Sequence, residues 1–438
     1  MVNRIVRREF LAQGMAAASA VVATPLLQRA AAAEEEKPVR LGFVGVGGRG
    51  TGLMQIVVRM QGVTVPAVCD VNPAAVARAQ KVATDANQEK PEGYQKGPED
   101  FRRMVQRDDL DAVITATPWE WHTPVAVAAM QAGKYAATEV PAALTLEECW
   151  QLVRTSEASG MPCMMLENWS FRRDNLAVLN MIRAGLLGEI VHCHCAHSHN
   201  CMHWYFDGQG NPRWSGEHLL RRNADQYPTH SLGPVLSWMD IHCGDRIDHL
   251  VAMSTRSLGI KDQLVRKYGD DHPAAKLPYQ QGDIITTLAK TAKGNTIVVN
   301  MDMQLPRPYD NRWMIQGTRG LYNEQRNAVY LEGVSPQHEQ WEPFPPYQEK
   351  YDHSLWKNAS AEILSTGHGG PDGIELREFI ASVRKRTQAP IDVYDSVVMS
   401  VILPLSQQSI AQGSLPVKCP DFTGGKWESA PPKFAVDS

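Results

Sequence analysis

The stretch "PVRLGFVGVGGRGTGLMQIVVRM", beginning at Pro38, constrains the fold more than any other part of the chain. An apolar run reads as a strand, "GVGGRG" as a glycine-rich turn, and the rest as a helix. Gly45, Gly47 and Gly50 take the G-x-G-x-x-G positions, with Gly48 and Arg49 completing the turn. The first glycine permits the tight turn, the second lets a pyrophosphate approach the backbone, and the third lets helix and strand pack closely. The helix N-terminus favours the negative charge of the phosphates. Asp70 ends the next strand, "VTVPAVCDVNP", 20 residues after Gly50. A carboxylate there bonds ribose hydroxyls and repels a 2′-phosphate, which favours NAD over NADP, although Arg49 argues the other way. Glycines alone are a weak signal; the strand–turn–helix context and the spaced acid make it a strong one.

Strands and helices alternate from about residue 38 to 165. The helix "TLEECWQLVRTSEASG" opens at Thr145, and "HTPVAVAAMQAG" stops at Gly133. This pattern predicts an α/β, doubly wound parallel sheet of Rossmann type over residues 34–165. Beyond it the strands lengthen and join through hairpin turns, as in "GEIVHCHCAHSH" and "DIITTLAKTAKGNTIVVNMDMQL". Residues 166–438 are therefore expected to form an α+β domain. Its sheet is open and mostly antiparallel, with helices on one face, and C-terminal helices and a tail follow. The Pro-rich "QWEPFPPYQEKYDHS" reads as a surface loop or arm.

The first residues carry a different message. Arg7 and Arg8 form a twin-arginine pair before an Ala-rich apolar run that ends near Ala33. This predicts a Tat export signal over residues 1–33, and a periplasmic or extracellular protein with no membrane attachment once the signal is removed. Pro25 and Arg29 interrupt the run and argue against a spanning helix. The formal net charge is −4 with no long basic run, which excludes nucleic acid as the expected partner. The eight cysteines are scattered and do not suggest a disulfide framework.

Three stretches concentrate titratable side chains. "QYPTHSLGP" sets Tyr227 and His230 three residues apart around Pro228, before an apolar helical run. That spacing puts both on one helix face, with Thr229 placed to cap the helix. The pair is either a proton-transfer site or a satisfied pair at a helix start. His368 lies in "STGHGGPDG", on a glycine-rich loop. "HCHCAHSHNCMH", as a strand, would project Cys193, Cys195, His197, His199, Cys201 and His203 to one side. Ligands two residues apart along one strand are widely spaced and the paired-knuckle spacing is absent, so no metal site is expected.

"TATPWEWHTPVAVAAMQAGKYAATEVP" resembles the Gfo/Idh/MocA family of nicotinamide-dependent sugar and inositol oxidoreductases, through Thr117, Pro118, Gly133, Lys134, Glu139 and Pro141. The lysine of that family's Glu-Lys-Pro is Val140 here. Of its Asp and His four residues apart, His230 is present and the Asp position is Gln226. "PWEWH", "EVPAA", "YPTHSLGP", "CGDRIDHLV", "PRPY", "GHGG", "DVYDS" and "PDFTGGKW" together resemble glycoside hydrolase family 109, in order along nearly the whole mature chain.

The resemblance implies a tightly bound NAD, used and regenerated within one turnover. It also implies removal of terminal N-acetylgalactosamine, or of a related hexosaminide or hexoside, from a small-molecule or glycan substrate. In such chemistry a hydride leaves sugar C3 and the new ketone acidifies C2. A base removes the C2 proton, the C1 substituent leaves, water adds, and the hydride returns.

By the same resemblance His230 is the base near C2 and C3, and Tyr227 its partner or a donor. Tyr227, Pro228, Thr229 and His230 lie against the sugar, together with His197, His199 and Tyr309. His368 is the acid for the leaving group. Glu139 and Val140 lie beside the nicotinamide, Trp119 and His122 wall the cofactor, and Asn168 bonds it. Family tyrosines stand where this chain has Phe171 and His197. A family arginine falls at Ser215, unless Arg213, Arg221 or Arg222 takes its place. These positions bear on which sugar is bound.

Two other readings compete. One is an NAD-dependent sugar or inositol dehydrogenase, against which the missing lysine and aspartate count. The other is a non-catalytic NAD-containing sugar-binding protein. By fold analogy an exposed edge of the second sheet would allow a homo-oligomer.

Overall fold

A computed structural model describes residues 37–436, so the export signal expected over residues 1–33 lies outside the described part. The first sheet contains Val39–Val44 (β1), Val63–Cys69 (β2), Glu92–Tyr94 (β3), Ala112–Thr115 (β4), Tyr135–Thr138 (β5) and Cys163–Met165 (β6). All pairs are parallel, in the order β3-β2-β1-β4-β5-β6. The order reverses between β1 and β4, and at such a switch point a crevice opens at the carboxyl ends of the strands. The helices of this half include Gly48–Val57 (α1), His122–Gln131 (α2) and Leu146–Ser159 (α3). Every residue of β4 and β5 is buried, as a parallel sheet covered on both faces requires. Thr145 and Glu148 close a reciprocal capping box at the start of α3.

The second sheet is built from Ile190–Ser198 (β7), Ile247–Ser254 (β8), Ile285–Thr291 (β9), Thr296–Asp302 (β10) and Met314–Gly317 (β11). Gly320–Asn323 (β12), Ala328–Leu331 (β13), Glu342–Pro343 (β14) and Val417–Lys418 (β15) complete it. Its order is β14-β13-β12-β11-β7-β10-β9-β8-β15, antiparallel except between β7 and β10. On one face Thr229–Trp238 (α4) packs against β7 and β10. The other face carries a polar ladder, with His194 Nε2 2.7 Å from Asn300 Oδ1 and Asn300 Nδ2 donating to Thr286 Oγ1 at 2.9 Å.

Two C-terminal helices return to the first half of the chain. Pro371–Lys385 (α5) packs against α1 and β1, and Val393–Ala411 (α6) packs against α3 and β6. Helix α4 is anchored by two fully buried indoles: Trp238 Nε1 donates to Asn175 O at 3.0 Å and Trp313 Nε1 to Ser231 O at 2.8 Å. Burying an indole contributes at most about 4–5 kcal/mol by area, which makes this helix a firm platform.

Several local expectations are corrected. Pro228 holds the cap position of α4 with helical angles, φ −76° and ψ −14°. Thr229 is thus the first helical residue, its Oγ1 buried without a partner, and it does not cap the helix. Tyr227 precedes the helix and shares no helix face with His230. The strand β7 ends at Ser198, so His203 falls in the short helix Met202–Tyr205 and leaves the alternating row. The Pro-rich stretch is anchored: β14 pairs with β13, Phe344 is buried, and Pro345–Lys350 is helical. Proline at a helix start removes no intrahelical hydrogen bond, which permits this. Among the described residues no helix is long and apolar enough to cross a membrane.

Candidate active site

The glycine turn sits at the switch point. Gly45 has φ +80°, and Asp70 Oδ2 accepts the Val46 N–H at 2.9 Å, which ties the turn to the end of β2. A Cβ at Gly50 would lie 1.9 Å from Gly45 O, so the third glycine lets α1 approach the turn. At Gly47 and Gly48 a Cβ would meet nothing within 4 Å, so these two positions border open space. That space is a cleft of about 740 Å³. Gly45, Gly47, Gly48, Arg49 and Asp70 are among its lining residues, as are Trp119, His122, Glu139, Val140 and Asn168. Gly50 is buried behind the turn. Bare backbone at a helix start, facing a cleft that also holds a carboxylate, fits a dinucleotide.

A second cavity of about 500 Å³ adjoins the first. It is lined by Trp169, His197, His199 and Tyr309, and both cavities share Trp204, Tyr227, His230 and His368. Tyr227 and His230 from one stretch, and His368 from another far along the chain, thus stand where the cleft meets the cavity. The Tyr227 and His230 rings are 5.2 Å apart, and the Tyr227 ring stacks on Trp119 at 5.9 Å. Pro228 and Thr229 are buried beside them and line neither space.

Each of the two histidines has a carboxylate at Nδ1. His230 Nδ1 lies 2.7 Å from Glu167 Oε1, and His368 Nδ1 lies 3.0 Å from both oxygens of Asp372. Asn168 Nδ2 donates to Asp372 Oδ1 at 2.7 Å, while Asn168 Oδ1 is buried without a partner. Arg49 bridges two carboxylates, with Nε 2.5 Å from Glu139 Oε1 and Nη1 2.6 Å from Asp372 Oδ2. The guanidinium is thus directed at these carboxylates, which removes the sequence argument for a 2′-phosphate. Burial works against the Asp372 carboxylate, yet the His368 hydrogen bond and the Arg49 charge hold its pKa below the ordinary range. One turn on, burial first, and then the Asp372 and Glu139 charges, push the Glu375 carboxyl well above its usual range.

Burial, reinforced by the Glu139 charge, also pushes the Tyr227 phenol well above its usual range. Tyr227 is therefore a proton donor in hydrogen bonds. His122 is pinned structurally, its Nδ1 2.7 Å from Pro141 O and its Nε2 3.0 Å from Thr117 O. Gln226, at the family's aspartate position, turns away from His230 and donates to Gln281 Oε1.

His197 and His199 meet through their Nε2 atoms at 3.0 Å, and Cys201 Sγ lies 3.0 Å from His199 Nε2. Burial, then His230 and His199, lowers the His197 pKa well below 6.5; burial, then His203 and His230, lowers that of His199 to about 4. Both rings are neutral at neutral pH. In the unfolded chain they titrate near the ordinary value of about 6.5. Between these values the unfolded state binds more protons, so stability rises with pH from about 4 to about 6.5 and is level above. The urea midpoint is expected to fall as pH drops through this window. His199→Gln is expected to flatten the slope, which urea titrations followed by tryptophan fluorescence will check.

Of the three positions marked by family departures, His197 lines the second cavity and the other two lie elsewhere. Phe171 is buried against Phe434, ring centroids 5.1 Å apart, and lines neither cavity. Ser215 is buried and donates to Trp204 O at 2.8 Å. Of the candidate arginines Arg213 lines the cleft, beside Trp214. Glu167, Asp372 and Trp204 escaped the reading of the sequence. The i, i+4 spacing of His368 and Asp372 was a usable signal; Glu167 sits one residue before Asn168 but pairs with a histidine 63 residues away.

Comparison with known proteins accounts for both halves. Residues 39–166 match the model for the oxidoreductase family with an NAD-binding Rossmann fold, GFO/IDH/MocA. Residues 171–429 match the C-terminal domain of glycosyl hydrolase 109. Among solved structures, levoglucosan dehydrogenase in complex with NADH and L-sorbose has a TM-score of 0.66 at 18% identity, covering 88% of this chain and 100% of its own. The apo scyllo-inositol dehydrogenase of Lactobacillus casei has a TM-score of 0.62 at 16% identity, covering 87% and 98%. At these identities the likeness shows the fold. Sequence relatives are nearer. A protein of Tannerella forsythia named alpha-N-acetylgalactosaminidase is 39% identical across 97% of this chain and 96% of its own length. Another of that name, from Shewanella oneidensis, is 39% identical across 98% of both. A Stenotrophomonas maltophilia protein named for glycosyl hydrolase family 109 is 38% identical across 98% of both. A Rossmann half with a dinucleotide cleft, joined to a matched C-terminal half and related over its full length to these proteins, makes this chain a member of glycosyl hydrolase family 109.

Proposed function

We propose that the protein is a glycosidase that releases terminal N-acetylgalactosamine, using an NAD that it holds and recycles within each turnover. One observation carries the reading: two histidine–carboxylate pairs and a protonated tyrosine converge where the dinucleotide cleft meets a second cavity. Val140 and Gln226 stand where a dehydrogenase of this fold would have its lysine and aspartate. The substrate is the one named for the relatives from Tannerella forsythia and Shewanella oneidensis.

NAD, when bound, supplies a reversible hydride acceptor for sugar C3. The chain's own residues move the protons. His230 accepts a proton on Nε2, first from O3 and then, after passing it to solvent, from C2. The Tyr227 phenol donates to the oxygen on C3 as negative charge develops there. The electron pair left at C2 forms the C1–C2 double bond, and the C1–O bond breaks. His368, held at Nδ1 by Asp372, protonates the departing oxygen. Water then adds at C1, a proton returns to C2, and C3 is reduced again. Arg49 pairs with both Glu139 and Asp372, so its one positive charge offsets part of the negative charge they place beside the reacting sugar. The twin-arginine leader supports action outside the cytoplasm, by an enzyme exported folded with its cofactor.

The direct test is a panel of nitrophenyl glycosides of both anomers, incubated with dialysed protein and no added cofactor. The α-N-acetylgalactosaminide is expected to release nitrophenol with no net NADH. Stoichiometric NADH from free sugar, without nitrophenol release, would establish the dehydrogenase instead.

A further inference from the structure

We propose that Glu167 is a positioning residue that fixes the tautomer and aim of His230. It supplies, from just beyond the last strand of the first sheet, the carboxylate that Gln226 lacks. This rests on the role of His230 proposed above.

Glu167 is fully buried at the carboxyl edge of the first sheet, immediately after Leu166, whose N–H donates to Thr138 O at 2.7 Å. Each of its oxygens takes two donors. Oε1 accepts the Trp169 N–H at 3.1 Å and meets His230 Nδ1 at 2.7 Å. Oε2 accepts the Ser170 N–H at 2.8 Å and the Ser170 hydroxyl at 2.6 Å. A carboxylate held by four donors has no freedom to swing. Being an acceptor, it requires the proton on Nδ1, which leaves the Nε2 lone pair as the basic site of the ring. His230 lines both cavities, and among the described residues no protein group bonds its Nε2.

Helix α4 is shaped for this arrangement. A Cβ on Gly233 would lie 1.7 Å from Glu167 Oε2 and 2.7 Å from Ser170 Oγ. Gly233 is one turn beyond His230, on the same face. The helix that presents the histidine therefore also leaves bare backbone against which the carboxylate rests. The pair links the carboxyl edge of the first sheet to a helix that packs on the second.

Glu167→Gln keeps the size and one acceptor oxygen but turns an amide donor toward Nδ1. The neutral ring must then carry its proton on Nε2, where it can no longer accept one. In the holoenzyme kcat is expected to fall by on the order of 10²-fold, with KM within about twofold and NAD content unchanged. Gly233→Ala, which displaces the same carboxylate, is expected to lower kcat in the same way, and provides a second route if Glu167→Gln folds poorly. Nitrogen NMR of histidine-labelled holoenzyme reads the tautomer without substrate. Wild type is expected to show Nδ1 protonated and Nε2 bare, and Glu167→Gln the reverse. Because this needs no turnover, it decides the proposal even if the glycosidase reading fails. The same tautomer in both proteins, or a loss confined to KM, would overturn it.

Discussion

Replacing His230 with asparagine is expected to lower kcat by on the order of 10³-fold while leaving NAD content and KM nearly unchanged. Asparagine preserves a hydrogen-bonding group toward Glu167, so the 167–171 turn keeps its anchor. What it removes is the only imidazole on α4. Tyr227 cannot substitute, because burial and the Glu139 charge keep its phenol protonated. His197 and His199 are neutral, but their Nε2 atoms bond each other. The double variant with Glu167→Gln should be no worse than His230→Asn alone, since the carboxylate acts through the imidazole. Kinetics on a nitrophenyl substrate, with NAD measured after denaturation, will check this; an added loss in the double variant would assign Glu167 a separate role.

The second large effect is at Gly50. A methyl group there would sit 1.9 Å from Gly45 O, 3.0 Å from Gly45 C and 3.3 Å from Ala116 Cβ. These are backbone atoms or the first atom of a side chain, so nothing flexible yields and α1 must move away. Gly50→Ala is expected to cost about 2–3 kcal/mol, the upper range for overpacking. It should also abolish NAD retention, because the helix start that faces the phosphates moves with the helix. Gly52, two residues on, meets nothing within 4 Å. Gly52→Ala is therefore the control, expected to retain NAD and to gain up to about 1 kcal/mol from helix propensity. Thermal melts with and without added NAD will separate the two variants.

The first half of the fold was legible because its signals are local. Strand, glycine turn, helix and acid follow one another within 33 residues from Pro38 to Asp70, and each has a physical reason to be where it is. The cleft-lining residues inherit this legibility, since a doubly wound sheet brings every strand's carboxyl end to one edge. The second sheet was legible in outline from strand periodicity. The pairing of β7 with β11 and β10, from segments about a hundred residues apart, was not.

The site separates in the same way. Tyr227, His230 and His368 each sit in a distinctive motif, and the fold brings them together. Glu167 lies in an ordinary-looking stretch, and its importance depends on a contact across 63 residues. The expected cap at Thr229 failed because Pro228 already adopts helical angles, moving the helix start by one residue. Phe171 and Ser215 were expected at the sugar from the family resemblance alone. The direction a side chain takes at the end of a tight turn, or at a helix start, is set by packing that no motif encodes.

In the proposed reaction, glycoside cleavage passes through a transient ketone at C3 and a broken C2–H bond. The direct measurement is NMR of the sugar released when the holoenzyme turns over an N-acetylgalactosaminide in deuterated water. Deuterium at C2 of the product, with no net reduction of NAD, is the result expected of this route. A product that keeps its original proton at C2 would contradict it, because direct displacement at C1 never touches that bond.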